Sequence, residues 1–251
     1  MSIIVEELNY VQEAKSIFKN CIEPKLKGEG FKKNGNIFYR PRSEFIDICN
    51  VQFGRANTRD FACFTYNIKI AMPSFYEKFD VNYDKKIDCL IIDHRLGTIM
   101  GFLNNTVMID YWYKVGTVYE LDYEENLVRN AIMNHETPKR IEELRAIGRY
   151  SNLLNNRYDR KNLEDARRTI TMDLDNIVVS FFNKIQNVDD LAELITNVNV
   201  NGGFEMLFLL VYFVERGEIA KGIQYVKNIY KNNFFKERID KYLKSKGLCM
   251  S

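Results

Sequence analysis

The chain has 251 residues, 46% hydrophobic and 28% charged, the balance of a folded protein with a sizeable core, which excludes extended disorder. Thirty-six basic against 34 acidic residues leave a formal charge of +2, so no whole-molecule field marks a nucleic acid or an anionic membrane as partner. Two histidines exclude a multi-histidine metal centre, and five cysteines without a CxxC pair read as thiols in a reducing cytosol, with no metal or cofactor implied.

The opening MSIIVEELNY is too short in its apolar part and too acidic for a signal peptide. The longest apolar run, Met206 to Val214, falls short of the roughly 20 residues that a membrane span needs. A cytoplasmic protein without membrane contact is the expectation. Leu8, Val11, Ala14, Phe18 and Ile22 recur in steps of three and four and predict a leader helix, which Pro24 bends or brings to its last turn and Gly28 and Gly30 end. Asn34-Gly35 is a two-residue hairpin signal, and Ile37 to Arg40 follows as a strand.

Further strands are predicted over Phe45–Phe53 and Phe64–Ile70, where apolar and polar residues alternate, and over Asp88–Asp93 and Val107–Val115. A helix before an antiparallel meander is an α+β pattern. Beyond about Leu121 the two-residue period stops. Asn162 and Asp165 resemble a capping box, and Leu163, Ala166, Ile170, Leu174, Ile177, Phe181 and Ile185 hold helical spacing. Asn187 caps a shorter helix, an apolar helix begins at Phe204, Arg216-Gly217-Glu218 turns the chain back, and amphipathic helices follow through Tyr230 and from Phe234 to Leu243. The expected organisation is an α+β domain over residues 1–121 and an all-α helical-hairpin domain over 122–251 packed against it. No Pro/Gly/Ser-rich linker separates them, and no fixed period marks a repeat array.

The segments LKGEGFKKNGNIFYR, CNVQFG, FTYNIKI, RLG (Arg95 to Gly97) and DYWYKV (Asp110 to Val115) occur in that order. Together they resemble a bacterial family filed as domain of unknown function 4304, over about residues 10–120, with Leu96 in place of the family's Ile and Tyr113 in place of its second Trp. The resemblance implies a fold and no activity. By analogy with other small bacterial families, a toxin-immunity role is one version of the function.

Candidate residues divide by context. His94 lies between Asp93 and Arg95, but neighbours along a strand point to opposite faces; His135 precedes a helix capped by Thr137 and begun by Pro138. Gly202-Gly203 lacks the Lys and Ser/Thr of a phosphate loop, and Glu120, Asp122, Glu124 and Glu125 read as an acidic helix start. Asp173 and Asp175 lie on the long helix. A basic stripe of Lys221, Lys227, Lys231, Lys236, Arg238, Lys241, Lys244 and Lys246 is interleaved with aromatics. If Phe64, Tyr66, Ile68 and Ile70 bury against Leu8, Val11, Phe18 and Ile22 of the leader helix, alternation sends Thr65, Asn67 and Lys69 to the other face with Asn50 and Gln52. Trp112 and Arg95 can join them. Gln52, Asn67, Arg95 and Trp112 are therefore the predicted ligand- or partner-binding residues. The expected function is a non-enzymatic cytosolic protein acting through protein or small-ligand contact. An enzyme with a carboxylate- or arginine-centred site on the sheet face is the alternative, and nucleic-acid binding through the C-terminal stripe the second alternative, nucleic acid not being the expected partner.

Overall fold

Helix α1 (Tyr10–Ile17) runs through a π-helical turn (Phe18–Ile22) into α2 (Glu23–Gly28). Asn9 caps it, its side chain accepting from the Gln12 amide at 3.3 Å. The buried residues are Ala14, Ile17, Ile22 and Leu26, whereas Val11 and Phe18 are half-buried. The π turn holds one residue more than an α turn, so the inward step from Ile17 to Ile22 is five instead of four. Pro24 falls in the first turn of α2, where a missing N–H costs least, and the helix continues past it to Gly28. A Schellman motif then closes it, with Gly30 left-handed (φ 86°) and Phe31 N–H reaching back to the Leu26 carbonyl at 3.0 Å.

The computed structural model describes residues 8–55, 57–79, 90–104, 111–116, 131–141, 163–198 and 202–250. Strands β1 (Lys32–Asn34) and β2 (Ile37–Pro41) are joined by Gly35-Asn36, one residue later than the Asn34-Gly35 loop expected. Only Gly35 has positive φ (61°), the sign pattern of a type II′ turn. There follow β3 (Ile46–Phe53), β4 (Phe61–Ala71), α3 (Pro73–Glu77), β5 (Ile92–Arg95), α4 (Leu96–Asn104) and β6 (Tyr113–Gly116). The six strands form one antiparallel sheet in the order β1-β2-β3-β4-β5, with β6 also on β4, Phe61 opposite Gly116 and Phe64 opposite Tyr113. Residues 88–89 and 107–110 of the expected strands lie outside the described residues. Phe64, Tyr66, Ile68 and Ile70 are fully buried, as alternation requires of the covered face.

The helical part comprises α5 (Leu163–Asp173), a second π turn (Leu174–Val179), α6 (Ser180–Lys184), α7 (Val188–Val198), α8 (Gly203–Glu215), α9 (Ile219–Val226) and α10 (Asn233–Ser245). The chain is therefore α+β with a helical C-terminal region. All seven residues predicted inward between Leu163 and Ile185 are buried; Asn162, the expected cap, lies outside the described residues. Asn187 caps α7, its side-chain oxygen accepting from the Asp189 and Asp190 amides at 2.8 and 3.0 Å. Helix α9 folds back on α8 where Gly222 approaches the Leu210 carbonyl; an added Cβ would sit 3.1 Å from that oxygen. Phe234, predicted inward, is 43% exposed beneath the Arg238 guanidinium at 3.5 Å, because it projects from the outer face of the first turn of α10. Among the described residues no helix is long and apolar enough to cross a membrane.

Contacts divide the chain into two compact units, Met1–Phe38, Cys49–Asn67 and His94–Phe181 in one, Tyr39–Ile48, Ile68–Asp93 and Phe182–Ser251 in the other. The boundary expected near Leu121 lies outside the described residues, and each unit takes residues from both sides of it. In the first unit Phe18 meets Phe38 and Phe53, each at 5.9 Å, Phe53 meets Phe64 at 5.9 Å, and Phe64 stacks on Tyr113 at 5.2 Å. The leader helix thus reaches Phe64 of β4 through Phe53 of β3, and its first helix lies against β6. Helix α5 packs on the first π turn, and Arg167–Glu13 (3.1 Å) and Lys25–Asp175 (2.5 Å) pair across the two helices.

In the second unit Phe75 meets Phe79 at 5.1 Å and Phe208 at 6.0 Å, and Phe79 meets Tyr242 at 5.6 Å. Asp47 is fully buried there. Its carboxylate accepts from Arg40 Nε at 3.0 Å and from Arg42 Nη2 at 2.6 Å, while Arg40 also reaches Asn183 at 3.0 Å and Arg42 the Ile185 carbonyl. Burial pushes the Asp47 pKa up and the two guanidiniums pull it back. Ile68→Ala should cost roughly 2 to 5 kcal/mol in urea denaturation, as a large-to-small change in a packed core does. Asp47→Ala, which strands two mostly buried guanidiniums, should cost about 3 to 5 kcal/mol in the same measurement.

Candidate functional site

In the first unit the two faces of β4 have different contents. Phe64 and Tyr66 face the aromatic core with Tyr113, so Trp112, one residue before Tyr113, projects to the opposite face with Asn67. Gln52 joins them from β3, since Asn67 Nδ2 donates to Gln52 Oε1 at 2.9 Å. Arg95, at the end of β5, is exposed, and its guanidinium carbon lies 5.4 Å from the centre of the Trp112 ring. Of the four predicted residues, Gln52 contacts Asn67 and Arg95 contacts Trp112.

The face is not uniformly open. Thr65 is fully buried and its Oγ1 donates to the Tyr111 carbonyl at 2.6 Å, so it serves the backbone. Gln52, Asn67 and Trp112 are half-buried. The Gln52–Asn67 bond uses one amide hydrogen and one carbonyl oxygen, which leaves the Gln52 NH₂ and the Asn67 carbonyl as a donor and an acceptor side by side. The Arg95 guanidinium over the Trp112 ring is a cation–π contact, and a planar guanidinium is the group whose fork suits a carboxylate or phosphate.

A second polar centre in the same unit escaped the sequence reading as a site. Asp173, the last residue of α5, is 8% exposed, and Tyr113 Oη donates to its carboxylate at 3.0 Å. Burial pushes its pKa up to about 6, against the pull of the Tyr113 hydroxyl. Burial also raises the Tyr113 and Tyr66 phenols well above their ordinary range, and the Tyr66 hydroxyl is buried without a partner. A signal existed: Asp173 stands three residues after Ile170 and next to Leu174, a carboxylate on the inward stripe. Sealed in this way it supports the helix–sheet contact of Tyr113 and offers no open face to a substrate.

Other sequence candidates fall elsewhere. His94 is half-buried with its ring edge-on to Phe102 at 5.2 Å, and His135 is exposed in a turn at φ 54° with Thr137 capping the next helical turn. Asp175 pairs with Lys25, and Phe235 occupies the space over Gly203. Glu120, Asp122, Glu124 and Glu125 lie outside the described residues. The C-terminal lysines are exposed, and Lys236 and Lys246 lie over the rings of Tyr230 and Tyr242 at 5.5 and 5.8 Å. Among the described residues no group of His, Cys, Asp and Glu could hold a metal ion.

Asp173 generates a pH prediction. Its folded pKa is above the unfolded value of 3.8, so the native state keeps its proton longer and stability falls as pH rises from about 4 to about 6. Asp173→Asn, which still accepts from Tyr113, should remove that slope and raise stability above pH 6 by up to about 3 kcal/mol, measured by urea titrations across pH.

Residues 22–140 match the model of a family described as Domain of unknown function (DUF4304). No curated protein and no solved structure matches the chain.

Proposed function

We propose that this chain, whose residues 22–140 match DUF4304, is a cytoplasmic binding protein that takes a protein or small ligand on the face carrying Gln52, Asn67, Arg95 and Trp112. All four residues lie inside the matched segment. The observation that carries the reading is the Arg95–Trp112 contact on the face that also bears the Gln52–Asn67 amide pair. A guanidinium, an indole and two amides orient a ligand; none is a group whose ordinary pKa suits proton transfer near neutral pH, so retention is favoured over turnover. The matching chemistry is a carboxylate or phosphate joined to an amide, as in a peptide segment, and a toxin-immunity contact is one form of the protein case.

Trp112 is the single tryptophan of the chain and so reports on its own site. Titration with carboxylates, phosphates and short acidic peptides should give a saturable change in its fluorescence with at least one class. Arg95→Ala should abolish that change while shifting Tm by less than about 2 °C, the behaviour of an exposed residue outside the core. A large loss of Tm in Arg95→Ala would return the contact to the scaffold. Silence with every class would remove the small-ligand reading.

A further inference from the structure

A groove of about 360 Å³ in the second unit lies against α3, the start of α7 and α8. Its floor is apolar: Phe75, Phe208 and Val211 are buried there, with Met72, Val188 and Tyr212 half-buried around them. The polar wall is not uniformly neutral. Arg216 stacks on Tyr212 at 3.8 Å and pairs with Asp189, whose carboxylate also accepts from Tyr212 Oη at 2.9 Å, so this corner is satisfied internally.

Elsewhere on the wall the charges do not cancel locally. Glu215 is shared between Lys78 and Lys246, the latter at 3.9 Å, which sets two ammoniums against one carboxylate. Glu44, exposed on the loop between β2 and β3, lines the same groove and has no ion-pair or hydrogen-bond partner among the described residues. An apolar floor is thus bordered by the Glu44 carboxylate and by the Lys78 ammonium, whose partner Glu215 is shared with Lys246 outside the lining. A purely apolar ligand would leave both unanswered, and a simple cation or anion would answer only one.

We infer that this groove is a second binding site and takes a zwitterion, an α-amino acid or short peptide with a large apolar side chain. Its ammonium meets Glu44, its carboxylate meets Lys78, and the side chain lies on Phe75 and Phe208. The volume is near the lower end of ligand pockets, about 300 to 1,000 Å³, which suits one large amino acid or a dipeptide. Each charged end contributes a charge-assisted hydrogen bond in a partly dry setting.

The test is calorimetric titration of the intact chain with the dipeptide Leu-Phe, its N-acetyl form, its C-terminal amide, and free phenylalanine. Leu-Phe or phenylalanine should bind saturably, and blocking either end of the dipeptide, or of phenylalanine if that is the binder, should weaken binding by about tenfold, the loss of one such bond. In Glu44→Gln the free and N-acetylated forms should bind alike, and in Lys78→Gln the free and amidated forms should. Glu44 carries no intramolecular pair among the described residues, so its variant remains interpretable even if Lys78→Gln is destabilised by loss of the Glu215 contact. Tighter binding of phenylalanine identifies a free amino acid as the ligand, and tighter binding of Leu-Phe a peptide. Equal affinity of free and blocked forms in the natural sequence, or no heat from Leu-Phe or phenylalanine at millimolar concentration, overturns the assignment. Trp112 fluorescence, which reads the sheet face, is not expected to respond.

Discussion

The sheet depends on one strand. β4 is 11 residues long, pairs with β3, β5 and β6, and seals Phe64, Tyr66, Ile68 and Ile70 completely. Because side chains alternate, that burial fixes the rest: Asn67 and Lys69 must turn the other way, and a slip of one residue would drive both into the core. The π turn at Phe18–Ile22 serves the same constraint from the other side. By adding a residue to the leader helix it keeps Ile17 and Ile22 inward while Phe18 lies against Phe53, itself in contact with Phe64.

Asp47, Asp173 and Glu205 are the buried carboxylates among the described residues, and the first two are accommodated differently. Asp47 lies between Arg40 and Arg42, which pull its pKa down against the burial that raises it, and the cluster reaches Asn183 and Ile185, so it holds the β2–β3 hairpin to the chain that leads into α7. At Asp173 a single hydroxyl, that of Tyr113, faces the carboxylate among the described residues, and burial raises its pKa to about 6. A lone ion in a dry core costs several kcal/mol, which counter-charges offset at Asp47 and which shows at Asp173 as a raised pKa. Both groups shape the scaffold, and their perturbed titration follows from that role.

The surfaces left for recognition are those on which the scaffold's polar groups are not consumed. On the sheet face the Gln52–Asn67 amides keep one donor and one acceptor, and in the groove Glu44 keeps its carboxylate. The exposed C-terminal lysines are distributed differently. Lys221 lies over Phe213 of α8, Lys236 over Tyr230 and Lys246 over Tyr242, which gives them a share in packing as well as in solubility.

Local pattern in the sequence was enough for the α+β class, the leader helix, the alternation of β4, the inward stripe from Leu163 to Ile185 and the Asn187 cap. Each of these rests on neighbours a few residues apart, where period and capping act directly. It also placed Gln52 and Asn67 on one face, because alternation needs no knowledge of the partner strand. The pairing of Arg95 with Trp112 needed the fold itself. So did the Asp47 cluster, whose bonds span 143 residues of sequence, and the groove, whose lining joins Glu44 and Phe75 to Tyr212. The two π turns and the one-residue shift of the first hairpin were likewise decided by packing, since the local sequence fits an α turn or an Asn-Gly loop equally well and the difference is a register in the core.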